Sequence, residues 1–187
     1  MNISLFGNCQ TKALSWYIQQ LDPSFDVKWI CIERFLTTPW GPKPTFQGKP
    51  INVITDTQEV IKTLKSSDYV IFQHIKIATS ENYNIVQLKK HVSKDKLISI
   101  SSMFYQPKDP EQKLLKGMIE RSQELNIDIP AHKIIEKHGS KITVQEINHP
   151  RVFYFLELVR EICAKTGWNY YSDEQYKQYL KEGYPFG

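Results

Sequence analysis

The sequence predicts an α/β protein built as a single-domain, open, mainly parallel sheet flanked by helices. Three observations carry that expectation. Runs dense in β-branched and aromatic residues alternate along the chain with segments whose apolar positions recur at helical spacing. No hairpin turn of the Asn-Gly type separates any of those runs. One of them, Asp68 to Gln73, is apolar in the manner of a parallel strand buried on both faces.

Taken in order, Asn2-Ile3-Ser4-Leu5-Phe6 is an apolar run ending at Gly7, and from Thr11 to Leu21 the residues Ala13, Leu14, Tyr17, Ile18 and Leu21 keep helical spacing. The chain therefore opens with strand, tight turn and helix. Val27 to Ile32 reads as a second strand. The stretch from Leu36 to Pro50 carries four prolines and two glycines, too many breakers for regular structure, and its length suits a flap or lid. Asp56 or Thr57 caps a helix running to about Leu64, before the strand Asp68 to Gln73. A helix from Asn82 to Val92, with Ile85, Val86 and Leu88 inward, leads to the strand Leu97 to Ile100 and a polar loop from Ser101 to Asp109. Pro110, at a first helical turn, opens a helix to about Leu125 with Leu114, Leu115, Met118 and Ile119 on one side. Asn126 to Gln145 has weak periodicity and yields no clear element. A long helix from Pro150 to Thr166 closes the α/β domain, residues 1–167, and a Tyr-rich helix or tail, residues 168–187, is expected to pack on it.

Composition narrows the function. With 187 residues, against ~150 per domain, two full domains are not expected, and 41% hydrophobic with 24% charged residues excludes disorder and coiled coil. A net charge of +4 suits a phosphorylated small ligand and falls short of a dedicated nucleic-acid binder. The uncharged stretch Asn2 to Thr11 is far below the ~20 apolar residues that span a bilayer, and no basic n-region or cleavage site accompanies it. A soluble, cytoplasmic protein without membrane insertion is expected. Cys9, Cys31 and Cys163 are too scattered for a disulfide framework, no CxxC offers a zinc site, and His91, His132 and His138 lack metal-ligand spacing, so no metal is expected.

Ligands of open α/β sheets gather at the carboxyl ends of strands, which directs attention to Gly7-Asn8-Cys9-Gln10. Gly7 permits a sharp turn, and Cys9 falls at a helix N-terminus, where the partial positive charge favours thiolate and backbone N–H groups can hold an oxyanion or phosphate. The alternative is a small hydrophobe buried at a strand end. A second constellation, Glu146-Ile147-Asn148-His149-Pro150, precedes the last long helix. An acid three residues before a histidine can fold back to hold Nδ1–H and leave Nε2 for a nucleophile. Alternatively, Asn148 or His149 caps a helix whose first residue is Pro150. Gln73 and His74, at a strand exit, suit the same pocket: Gln73 as an oxyanion donor, His74 as a second base or a partly buried surface histidine. Ser101 and Ser102 open a polar loop suited to a sugar or phosphate, and Lys12, Lys76, Lys108 and Arg151 lie near the expected strand exits. Cys31, Cys163 and the tyrosines from Tyr170 to Tyr184 read as packing residues.

Gly7-Asn8-Cys9-Gln10 after an opening strand, with Asn148-His149-Pro150 before a late helix, resembles the WcbI-type polysaccharide biosynthesis proteins. These are proposed capsule acetyltransferases that bind coenzyme A. The layout is also similar to the SGNH/GDSL hydrolases, with Cys9 for serine and Glu146 for aspartate, although that superfamily's glycine and asparagine blocks are not evident. The resemblance implies an acyltransferase that takes an acetyl group from acetyl-coenzyme A to a sugar hydroxyl of a surface polysaccharide. Cys9, His149 and Glu146 would be catalytic, with Gly7, Asn8, Gln10, Lys12, Gln73, His74, Ser101, Ser102 and Arg151 around the acyl donor. An esterase or thioesterase using the same three residues, and a noncatalytic nucleotide- or sugar-binding module, remain as alternatives.

Overall fold

The computed structural model describes residues 1–31, 45–46, 49–50, 53–54, 57–74, 90–102, 111–139, 144–146 and 149–183. The chain falls into two compact units, residues 1–99 and 100–185, apart from single residues at the C-terminus.

In the first unit, strand β1 (Asn2–Gly7) leads through Asn8 into helix α1 (Cys9–Gln19) and strand β2 (Asp26–Cys31). Two-residue strands β3 (Thr45–Phe46), β4 (Lys49–Pro50) and β5 (Val53–Ile54) precede helix α2 (Thr57–Ser66) and strand β6 (Tyr69–His74). A 3₁₀ turn, Lys94–Lys96, enters strand β7 (Leu97–Ser101). The sheet order is β5-β2-β1-β6-β7, and β5, β2, β1 and β6 pair in parallel. The α/β class and the parallel sheet flanked by helices are as the sequence leads one to expect. Strand β1 is central and buried from Ile3 to Gly7. Phe6 and Phe72, opposed in register, stack with centroids 5.1 Å apart over Ile30, Val60 and Leu64. The two strands start from a polar anchorage, because Asp68 accepts from the Asn2 amide at 2.8 Å and the Ser4 hydroxyl meets that of Ser67 at 2.7 Å.

Local details differ from the sequence expectation. Helix α1 starts two residues earlier than Thr11, because Asn8 caps it: its Oδ1 accepts from the Gln10 amide at 2.9 Å. The proline-rich stretch, expected to be irregular, includes an antiparallel pair in which Thr45 faces Pro50 and Phe46 faces Lys49. Strand β5 adds an unexpected edge beside Trp29 and Ile30. Of the helix expected from Asn82 to Val92, residues 82–89 lie outside the described residues, and 90–92 form a turn. Residues 36–44 of the expected flap, together with Lys76, Lys108, Asn148 and Tyr184, also lie outside them.

The second unit carries helices α3 (Glu111–Glu124), α4 (Ala131–His138), α5 (Val152–Thr166) and α6 (Asp173–Glu182), with a hairpin of β8 (Val144–Glu146) and β9 (His149–Pro150) between α4 and α5. Ile100 bridges Ile129 in parallel, and the Ser101 amide donates to the Ile129 carbonyl at 3.3 Å. Helix α5 buries Tyr154 through Val159, Ile162 and Cys163, and ends at Gly167, whose φ of 76° closes the last turn through a 2.8 Å bond to the Cys163 carbonyl. Pro150 is therefore not the first residue of that helix. It is paired with Val144 in the hairpin, and Arg151 occupies the N-cap without a side-chain cap bond. Helix α6 begins with a capping box in which Ser172 and Gln175 each accept from the other's amide. Among the described residues no helix is long and apolar enough to cross a membrane.

Candidate functional site

Strand order reverses between β1 and β6, since β2 and β5 lie to one side of β1 while β6 and β7 lie to the other. In doubly wound sheets that reversal opens a crevice at the carboxyl edge. The turn Gly7-Asn8-Cys9-Gln10 ends β1 there, and Gln73-His74 ends the neighbouring parallel strand. Cys9 is an exposed thiol in the first turn of α1, and Asn8 and Lys12 beside it are half-buried.

A hydrogen-bonded brace holds this turn from below. Gln73, 1% exposed, accepts from the Asn8 amide through Oε1 at 3.1 Å and donates through Nε2 to Gln10 Oε1 at 2.9 Å. On the other side, Trp29 Nε1 donates to Thr11 Oγ1 at 3.0 Å, and Thr11 Oγ1 donates to the Asn8 carbonyl at 2.7 Å. Each amide is oriented by its partners, so the turn is fixed by side chains from β2 and β6 as well as by its own sequence. Gly7 is explained by the same brace. A Cβ on it would stand 2.6 Å from Gln73 Oε1, 2.6 Å from Thr11 Cγ2 and 2.8 Å from Gln73 Cβ. Its backbone is not among those with positive φ, so close approach rather than a left-handed turn requires glycine.

Three expectations change accordingly. The amides of Asn8, Gln10 and Thr11 are taken up by Gln73, the Asn8 side chain and the Asn8 carbonyl, so the helix end does not offer its whole set of donors to an oxyanion or phosphate. Gln73 directs both ends of its amide into the turn and acts as a brace beneath Cys9. His74 is not a partly buried surface residue: it is 7% exposed and packs edge-on against Phe72, with centroids 5.3 Å apart.

Glu146 and His149 belong to the second unit. The chain does fold back between them, as directly opposed partners of the β8/β9 ladder, with a bulge at Gln145. Their side chains lie outside the described residues. The Ser101 hydroxyl is buried and lies 3.3 Å from that of Ser122, an internal contact rather than an open strand end. Ser102 is half-buried and Arg151 exposed. Cys163 is buried, which pushes its thiol up to about 12.

A third cluster was not foreseen from the sequence. Glu157 on α5 is 2% exposed, yet its carboxylate meets His138 Nε2 at 3.1 Å, Arg160 Nη1 at 3.0 Å and Lys137 Nζ at 3.7 Å. The Arg160 guanidinium in turn covers the rings of Tyr170 and Tyr176, at 4.9 and 5.3 Å. The one signal in the sequence is a glutamate inside a helix whose neighbours are apolar, Leu156 and Leu158.

No protein-family model matches the chain, and no curated protein matches its sequence. The chemistry of the turn therefore rests on its residues and on the resemblance carried by its motifs.

Proposed function

We propose that the protein is a coenzyme A-dependent acyltransferase that acetylates a sugar hydroxyl in surface or capsular polysaccharide biosynthesis, with Cys9 as nucleophile. The observation that supports this most is the exposed Cys9 thiol at the start of a helix, on a braced turn at the carboxyl edge of the central parallel strand. A helix start favours thiolate over thiol, and an exposed thiolate can reach an acyl donor.

In this reading the Cys9 thiolate attacks the acetyl carbonyl of acetyl-coenzyme A. The new C–S bond forms as the bond to coenzyme A breaks, and the departing thiolate takes up the proton that Cys9 gave to a general base. A sugar hydroxyl then attacks the Cys9 thioester, gives its proton to that base and releases the Cys9 thiolate, so protons and electrons balance over the cycle; the resemblance carried by the motifs gives the role of base to His149. Glu146, backbone partner of His149, is assigned to orient the imidazole. Half-buried Lys12, one helical turn after Cys9, is assigned to the phosphates of the donor, and Gly7, Asn8, Gln10 and Gln73 to keeping the turn rigid. Such an enzyme belongs with the acetyl-coenzyme A pool of the cytoplasm.

Intact-protein mass spectrometry after mixing with acetyl-coenzyme A tests the reading. The expected result is a gain of one acetyl group that is lost in Cys9→Ala and discharged by a sugar acceptor. Steady release of free acetate without any sugar would instead make the protein a thioesterase. Calorimetry in which coenzyme A binds no better than a matched polyphosphate would remove the acyl donor from the account.

A further inference from the structure

We draw no further inference here: the strongest candidate, the hydrogen-bond relay from Trp29 through Thr11 to the Asn8 carbonyl beneath the exposed Cys9 thiol, belongs to the site already described, and its bonds close within that site without pointing to a ligand.

Discussion

Gly7 illustrates how much a single missing Cβ can hold in place. Alanine there would drive its methyl into the Gln73 amide and the Thr11 methyl at 2.6 Å, and both neighbours are buried and engaged in hydrogen bonds. Overpacking of a well-filled core typically costs ~1–3 kcal/mol. Gly7→Ala should therefore lower the midpoint of denaturant unfolding, and adding Thr11→Ser, which deletes the clashing methyl and keeps the hydroxyl, should recover part of the loss. No recovery would mean that the Gln73 contacts dominate. Gln73→Leu separates packing from hydrogen bonding at the same place. It keeps the volume but strips the Asn8 amide and Gln10 Oε1 of a partner, at ~1–3 kcal/mol for each group left buried. An unchanged unfolding midpoint in Gln73→Leu would refute the brace. The glycine and the turn were legible in the sequence, but the reason for the glycine was not, because it depends on a side chain 66 positions away that only strand pairing brings close.

At the scale of elements, legibility follows length and burial. Strands β1, β2, β6 and β7 are five or six residues of mostly apolar sequence, and the pattern places each to within a residue or two. Strands β3, β4 and β5 have two residues each, too few to show any period, and the bulge at Gln145 breaks the alternation that would have marked β8. Pro150 carries a helix-start signal, yet its pairing with Val144 moves the start to Val152. Helix α6 shows the opposite case, in which local sequence governs. It has no fully buried residue, so its N-terminus depends on the Ser172 and Gln175 capping box and on ring contacts such as Tyr171 with Tyr179 at 5.0 Å. Ser172→Ala should cost ~1 kcal/mol of local helix stability. Hydrogen exchange at the Gln175 amide, which donates to Ser172 Oγ at 3.2 Å, should then speed up about fivefold. Unaltered exchange there would show that the tyrosines, not the cap, hold the helix start.

For the whole molecule, the pH response should be unequal between the two units. The groups shifted chiefly by burial, His132, Tyr154, Cys163, Tyr170, Tyr176 and Tyr179, all belong to the second unit, whereas the described shift in the first unit is that of Asp22, lowered by its hydrogen bonds with Ser24. Burial lowers the His132 pKa, so as pH falls through the ordinary histidine value of 6.5 the unfolded chain takes up a proton that the folded unit resists. The unfolded state then binds more protons, and stability falls toward acid. Burial raises Tyr154, Tyr170 and Cys163, the last to about 12 from an ordinary 9.0. Above pH 9 the unfolded chain therefore loses protons that the folded unit keeps, and stability falls toward alkali as well. The second unit should be most stable between those limits. Hydrogen exchange followed by mass spectrometry at pH 5.5, 7.5 and 10, corrected for the intrinsic pH dependence of exchange, would read each unit separately. Protection over helices α4 and α5 should be greatest at the middle pH, and protection over β1 and α1 should change less at both extremes. Equal loss in both units at pH 10 would contradict this assignment, since the buried phenols and the buried thiol would then not be what limits alkaline stability.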